Sequence, residues 1–250
     1  MLAAAKVGGI LANNRYRGEF IRENLLIATN VIDAAWRNGT VKLVNLSSSC
    51  AYPRECPQPM REEYIGSGPL EPTNEPYATA KLASMSMCRA YHDQYGVDFV
   101  SAIPTNLYGP GDTFDLEQSH FLPAMIRKCH EAKAAGAATV TVLGTGRPRR
   151  EYLYSDDCAD AVVRILESYS GPEPINVGTG EDATIGEMAA IVARIVGFQG
   201  SLVFDPTKPD GMFQKLQEIS KLRNLGWEPR VSFEEGVRLT YEAYLGAGAA

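Results

Sequence analysis

Residues 41–53 read Val41-Lys42-Leu43-Val44-Asn45-Leu46-Ser47-Ser48-Ser49-Cys50-Ala51-Tyr52-Pro53. Val41 to Leu46 has the apolar character of a buried strand, and it runs straight into a serine-rich turn. Upstream, residues 17–38 carry Phe20, Leu25, Ile27, Ala28, Val31, Ile32 and Ala35 at helical spacing, with Gly39 placed as a C-cap. Downstream, residues 77–95 form a helix closed by Gly96. Phe99 to Ile103 is a strand that ends in Pro104-Thr105-Asn106-Leu107-Tyr108-Gly109-Pro110-Gly111. The alternation continues with a helix at 119–134, a strand at 139–143, a helix at 157–169 and a strand at 174–177. Helices at 184–196, 215–225 and 232–245 complete the pattern. Strands alternating with amphipathic helices specify a parallel α/β sheet. The site in such a sheet lies beyond the C-terminal ends of its strands, where the serine run and Pro104–Leu107 both fall.

Composition narrows the field. A chain of 250 residues can bury one good core or a large and a small lobe. The net charge of −6, spread without runs, speaks against a nucleic-acid partner or a polybasic membrane patch. No apolar stretch approaches the length of a membrane span, and no secretory signal is visible. The five cysteines, Cys50, Cys56, Cys88, Cys129 and Cys158, lack CxxC spacing and suggest neither a disulfide framework nor a metal site. That usage implies a reducing, cytoplasmic setting.

Tyr77-Ala78-Thr79-Ala80-Lys81 is a YxxxK, which places a phenol and an ammonium on one helix face. Phenol has an ordinary pKa of about 10, and a neighbouring buried cation is the simple way to make it an acid near neutrality. With Ser48 after a strand, the set of Ser48, Tyr77 and Lys81 reads as a hydride-transfer site that anchors a nucleotide ribose. Cys50 and His120 ask for further proton chemistry. His92 and His130 carry no such context. A dinucleotide fold also needs a glycine-rich turn at a helix N-terminus for the pyrophosphate, and no GxGxxG or GxxGxxG occurs in the sequence.

These features resemble the extended short-chain dehydrogenase/reductase family, and within it the branch that epimerises and reduces GDP-linked keto-sugars. The resemblance is carried by Leu2-Ala3-Ala4-Ala5-Lys6-Val7-Gly8-Gly9-Ile10, Ser48–Pro53 and Leu70-Glu71-Pro72-Thr73-Asn74-Glu75-Pro76-Tyr77. Further along it rests on Pro104–Pro110, Ser119-His120, Asn176-Val177-Gly178-Thr179-Gly180-Glu181-Asp182 and Lys208-Pro209-Asp210-Gly211. It implies a Rossmann-like, doubly wound parallel sheet lacking its first βα units, with a smaller C-terminal α/β substrate lobe. Residues 1–110 would form the partial NADP-binding domain with the catalytic residues. Residues 111–250 would be mainly the substrate lobe, with some segments returning to the Rossmann sheet. Two further βα units, about 60 residues at roughly 30 per unit, would precede Leu2. The chain is therefore expected to be a fragment, a truncated gene model or an alternative start product. The missing part would hold the pyrophosphate and 2′-phosphate sites, and the open sheet would predispose the chain to aggregation.

The same resemblance supplies roles. Tyr77 would protonate the 4-oxygen of GDP-4-keto-6-deoxy-D-mannose as hydride arrives from NADPH, Lys81 would bind the nicotinamide ribose, and Ser48 would hydrogen-bond that oxygen. Cys50 and His120 would carry out the epimerisations at C3 and C5, where inversion needs a base on one face and an acid on the other. Leu46, Ser47, Ser48, Ser49, Lys81, Pro104, Thr105, Asn106, Leu107 and His120 would contact NADP. Lys128, Leu143, Arg150 and Asp210 would contact the substrate, Arg150 through its diphosphate.

Some positions depart from the family pattern. Leu143 stands where a tryptophan is usual, Lys128 where arginine is usual, Ser47 where glycine is usual, and Met212-Phe213-Gln214-Lys215 replaces Thr-Pro-Arg-Lys. Guanine and diphosphate contacts are altered while the catalytic set is kept, which opens the nucleotide preference to question. A nucleotide-sugar 4-epimerase is an alternative with no use for Cys50 and His120. A non-catalytic fragment that dimerises with a full-length copy is another. A homodimer would pair through helices 17–38 and 77–95.

Overall fold

The computed structural model, which describes residues 1–208 and 210–247, begins with α1 (Ile10–Arg15), α2 (Arg17–Arg37), β1 (Lys42–Leu46), α3 (Glu75–Tyr95), β2 (Asp98–Pro104) and β3 (Asn106–Tyr108). There follow α4 (Phe121–Ala134), β4 (Thr139–Leu143), β5 (Arg149–Arg150), β6 (Tyr152–Tyr154) and α5 (Ser155–Ser168). The remainder comprises β7 (Ile175–Val177), β8 (Ala183–Thr184), α6 (Ile185–Val196), β9 (Ser201–Asp205), β10 (Gln214–Lys215), α7 (Ser220–Asn224) and α8 (Phe233–Ala247). Pro209 of the Lys208–Gly211 stretch and residues 248–250 of the expected second lobe lie outside the described residues.

Strands β1, β2 and β7 form a parallel sheet in that order, with Leu43 opposite Phe99 and Val44 opposite Val100. Successive side chains of a strand point to opposite faces. Leu43 and Phe99 accordingly pack with Ala28 and Ile32 of α2 and Cys88 of α3. Val44 and Val100 pack with Ala161 and Ile165 of α5 and Leu222 of α7 on the other face. Helices cover both faces, as a doubly wound sheet requires. Each fully buried Val or Ile in these layers contributes about 1.5–3 kcal/mol. On the far edge of β1, Leu2 N–H donates to Val44 O at 2.8 Å and Leu2 O accepts from Leu46 N–H at 3.0 Å. That pairing sets Leu2 beside Asn45.

A second core gathers Leu122, Met125 and Ile126 of α4, Met188 and Val192 of α6, Val237 of α8 and Val140 and Val142 of β4. There β4 and β9 are parallel. The pair β3–β6 joins the two cores, with Leu107 and Leu153 in one and Tyr108, Tyr152 and Tyr154 in the other, and β10, β5 and β8 form a separate short sheet. Local signals fix several helix ends. Thr184 and Glu187 form a reciprocal capping box at α6, and Gly96 and Gly197 close α3 and α6 in the left-handed conformation.

The expected helix 215–225 is only partly a helix. Lys215 pairs with Arg150, Leu216 N–H donates to Gln58 Oε1 at 2.9 Å, and Gln217 N–H donates to Glu151 Oε2 at 3.0 Å. These tertiary acceptors take the amide groups that a helix would need, so winding begins at Ser220. The strand expected at 174–177 is β7, whereas helix α1 and strands β3, β5, β6, β8, β9 and β10 have no counterpart in the sequence-based expectation. Among the described residues, no helix is long and apolar enough to cross a membrane.

Candidate active site

The crevice is built at the C-terminal end of β1. Ser47 N–H donates to Ala102 O at 2.8 Å, holding the strand end in the sheet. Ser48 Oγ then accepts from Cys50 N–H at 3.2 Å and caps the tight turn Ser49–Ala51. That cap fixes Cys50 two residues beyond the serine. Helix α3 enters with Pro76 in its first turn, where a missing N–H costs nothing, and presents Tyr77 and Lys81 on one face. Lys81 Nζ lies 5.8 Å from the Tyr77 ring centroid and donates to Leu46 O at 2.8 Å. The Phe20 edge packs against the same ring, with centroids 6.4 Å apart.

The electrostatic balance differs from the simple picture of an ammonium holding down a phenol. Burial lowers the Lys81 pKa to about 8, with the nearby Cys50 opposing. Although part of the Tyr77 residue remains exposed, burial of its hydroxyl raises the pKa well above the ordinary value. Cys50 adds to the rise, and a hydrogen bond with Ser48 opposes it. In this geometry the hydrogen bond with Ser48 favours the phenolate, and burial outweighs it. Lys81 acts on the site as a buried donor.

Cys50 is half-buried and has two donors. Asn74 Nδ2 reaches Sγ at 3.1 Å and Lys215 Nζ reaches it at 3.8 Å. Arg150, opposite Lys215 in the β5–β10 pair, donates to the backbone oxygens of Arg149 at 2.8 Å and Asp210 at 3.3 Å. Burial lowers its pKa, while Tyr152, Asp210, Cys50 and Glu71 pull the other way. Ser48, Cys50, Tyr77, Lys81 and Arg150 thus occupy one electrostatic neighbourhood.

His120 is the residue preceding α4. Although the residue is exposed, crowding around the ring lowers its pKa, and the Asp112 carboxylate opposes the shift. The backbone before it is braced by Gly9, whose N–H donates to Gln118 O at 2.8 Å. Gly9 has φ −65°, open to any residue, yet a Cβ there would lie 2.6 Å from Ser119 O. Its lack of a side chain serves that close approach.

The remaining expected contacts are engaged within the protein. Thr105 Oγ1 and Asn106 Nδ2 donate to Glu151 O at 3.3 and 2.9 Å, Pro104 is buried at the end of β2, and Leu107 packs on the sheet core. Lys128 Nζ donates to Thr141 O at 3.2 Å, and Leu143 is exposed at the end of β4. The Asp210 carboxylate accepts from Thr145 N–H and Oγ1–H, both at 2.7 Å. It therefore secures the turn after Leu143.

Four residues in this region escaped the reading of the sequence: Asn74, Lys215, Asp112 and Glu151. Glu151 is fully buried and accepts from Thr179 N–H at 2.6 Å, Gly180 N–H at 2.8 Å and Gln217 N–H at 3.0 Å. Its place in sequence, between the charged pair Arg149-Arg150 and the run Tyr152-Leu153-Tyr154, carries no local signal of that burial. Asn74 stands three residues before Tyr77, but nothing local announces its partner.

The residues fit the nicotinamide–ribose half of a dinucleotide. Lys81 Nζ has three N–H donors and a single acceptor among the described residues, leaving donors for ribose hydroxyls. Buried Asn13 Oδ1 and Ser119 Oγ, on either side of Gly9, and Asn74 Oδ1 beside Cys50 have no hydrogen-bond partner among the described residues. The described chain offers no glycine-rich turn for a pyrophosphate.

A strand-end Ser–Tyr–Lys set on a two-sided parallel sheet is the arrangement of nucleotide-dependent epimerases and reductases. The profile of the NAD dependent epimerase/dehydratase family matches residues 1–178, and the chain belongs to that family. Within it, similar curated proteins include several GDP-L-fucose synthases. The probable GDP-L-fucose synthase 1 of Oryza sativa subsp. japonica is 55% identical over 246 residues, covering 98% of this chain and 75% of that protein. The GDP-L-fucose synthase of Sinorhizobium fredii is 51% identical over 245 residues, covering 98% of this chain and 78% of that protein. A crystal structure of a GDP-L-fucose synthetase from Naegleria fowleri bound to NADP superposes with a TM-score of 0.89 at 30% identity, covering 99% of this chain and 77% of that one.

Proposed function

We propose that this chain carries out the NADP-dependent 3,5-epimerisation and 4-reduction that convert GDP-4-keto-6-deoxy-D-mannose to GDP-L-fucose. The observation that carries this reading is the turn that fixes Cys50 beside Ser48, whose Oγ accepts from Cys50 N–H at 3.2 Å, next to Tyr77 and Lys81. A 4-epimerase needs the last three and has no task for the thiol.

When bound, NADPH supplies the hydride for C4. Ser48 and Tyr77 hold the 4-oxygen, and Tyr77 gives it a proton. Lys81 binds ribose hydroxyls from its buried position. Leu46, Ser47, Ser49, Pro104, Thr105, Asn106 and Leu107 shape the wall around the nicotinamide half, the last four through backbone and packing, since Thr105 and Asn106 side chains are engaged with Glu151. Cys50 removes the proton next to the ketone, and His120 returns one from the opposite face. Arg150 binds diphosphate, which replaces the backbone oxygens it now touches. Lys128, Leu143 and Asp210 border the nucleotide.

On this reading residues 1–110 form the cofactor half and residues 111–250 mainly the substrate lobe. A homodimer through α2 and α3 is supported by exposed Leu26, Val31 and Tyr95 on those helices. A cytoplasmic setting is supported by the five free thiols.

The test supplies GDP-4-keto-6-deoxy-D-mannose and NADPH in heavy water. Deuterium at C3 and C5 together with NADPH oxidation to GDP-L-fucose is the expected result. Oxidation without deuterium would replace this reading with a simple 4-reductase, and neither signal would favour the non-catalytic fragment.

A further inference from the structure

A buried ammonium is costly to keep without an anion. Lys215 is 8% exposed, and among the described residues it has no carboxylate within ion-pair distance. Its side-chain hydrogen-bond partner is Cys50 Sγ, at 3.8 Å. Asn74 Nδ2 donates to the same sulfur at 3.1 Å. The two donors come from positions 165 and 24 residues away in sequence, so only the folded chain brings them to the thiol. Lys215 is also firmly held. It is paired with Arg150, and the next two amides are anchored on Gln58 and Glu151.

We propose that Lys215 is a positioning residue for epimerisation. Together with Asn74 it fixes the Cys50 sulfur and supplies the counter-charge of its thiolate. This rests on Cys50 being the epimerisation base. In that step the proton at C3 or C5 passes to Sγ, and the C–H electron pair becomes the enolate of the C4 ketone. Proton return from His120 to the opposite face restores the ketone with the carbon inverted, and exchange with solvent resets both groups. The thiolate is the competent form in the first transfer, and Lys215 is the cation that faces it. Lys81 and Arg150 are the neighbouring cations, but the Lys81 ammonium donates to Leu46 O and the Arg150 guanidinium to the backbone oxygens of Arg149 and Asp210.

The deciding experiment is iodoacetamide labelling of the chain, read site by site by mass spectrometry, with half-buried Cys56 as the internal reference. It requires neither cofactor nor substrate. Lys215→Met should slow alkylation of Cys50 by about tenfold at neutral pH while leaving Cys56 unchanged. Lys215→Arg should restore most of the rate. Buried Cys88, Cys129 and Cys158 report unfolding by becoming labelled, and Lys215→Gln replaces the methionine variant in that event. An unchanged Cys50 rate in a folded variant overturns the proposal. If such a variant also binds GDP more weakly, Lys215 is a second diphosphate contact beside Arg150. Deuterium uptake at C3 and C5 by Cys50→Ser tests the base assignment separately. Retained uptake there refutes Cys50 as the base, whatever the labelling shows about its pairing with Lys215.

Discussion

The crevice at the end of β1 and the rim that carries Lys128, Leu143 and Asp210 treat their polar atoms in opposite ways. In the crevice, polar groups are left unspent: among the described residues Lys81 donates to the Leu46 carbonyl alone, Asn74 Oδ1 has no partner, and Cys50 receives two donors. On the rim the groups satisfy one another. Asp210 holds Thr145, Lys128 holds Thr141, and Arg149 and Gln214 both hold Asp182. A preorganised set aimed at developing charge is what chemistry requires. A self-satisfied rim binds by exchanging partners, which lets affinity change without disturbing the reaction.

The sharpest way to break this contrast is Tyr77→Phe. NADPH oxidation should fall by about 10²–10⁴-fold, while deuterium uptake at C3 and C5 continues. Equal loss of both would mean the crevice works as one indivisible unit. Cys50→Ser should do the reverse, cutting uptake by about 10²-fold and leaving reduction of the unepimerised ketone measurable as NADPH oxidation.

Gly144→Ala probes the rim. Gly144 has φ +86°, and a Cβ would lie 2.4 Å from Asp210 Oδ1. The variant should lose about 1–3 kcal/mol in urea unfolding. A neutral result would show that the Asp210 latch is dispensable for the fold.

Lys81 gives the crevice a pH signature. Its folded pKa is lowered to about 8 from 10.5, so the unfolded chain binds more protons between those values. The stability contribution of Lys81 therefore rises with pH across that window, and its burial cost is fully present below it. Wild type should gain on Lys81→Met as unfolding is measured from pH 8 towards 10.5. A constant difference would place the ammonium in solvent. The smallest effect belongs to Lys128→Met, whose exposed contact with Thr141 predicts a stability change within about 0.5 kcal/mol.

The longer elements were legible because local pattern and tertiary fate agree. The apolar pair Leu43 and Val44 feeds two cores, and α3 ends at a glycine with positive φ. The two-residue strands β5, β8 and β10 exist only through their partners, and no local propensity marks them. The misread helix start at Lys215 has the same cause, since its amides answer to Gln58 and Glu151. YxxxK could be read because helical spacing itself brings the pair together. The sulfur's donors could not, since their meeting depends on strand pairing far away in sequence.

Arg150, Glu151 and Tyr152 also bear on engineering. The guanidinium lies near Cys50, the carboxylate staples Thr179, Gly180 and Gln217, and the ring enters the C-terminal core. Three consecutive residues are thus sewn into three different parts of the molecule. A chimera that takes its sugar-binding half from a relative should be spliced outside residues 149–154, because a junction inside that seam would part all three attachments at once.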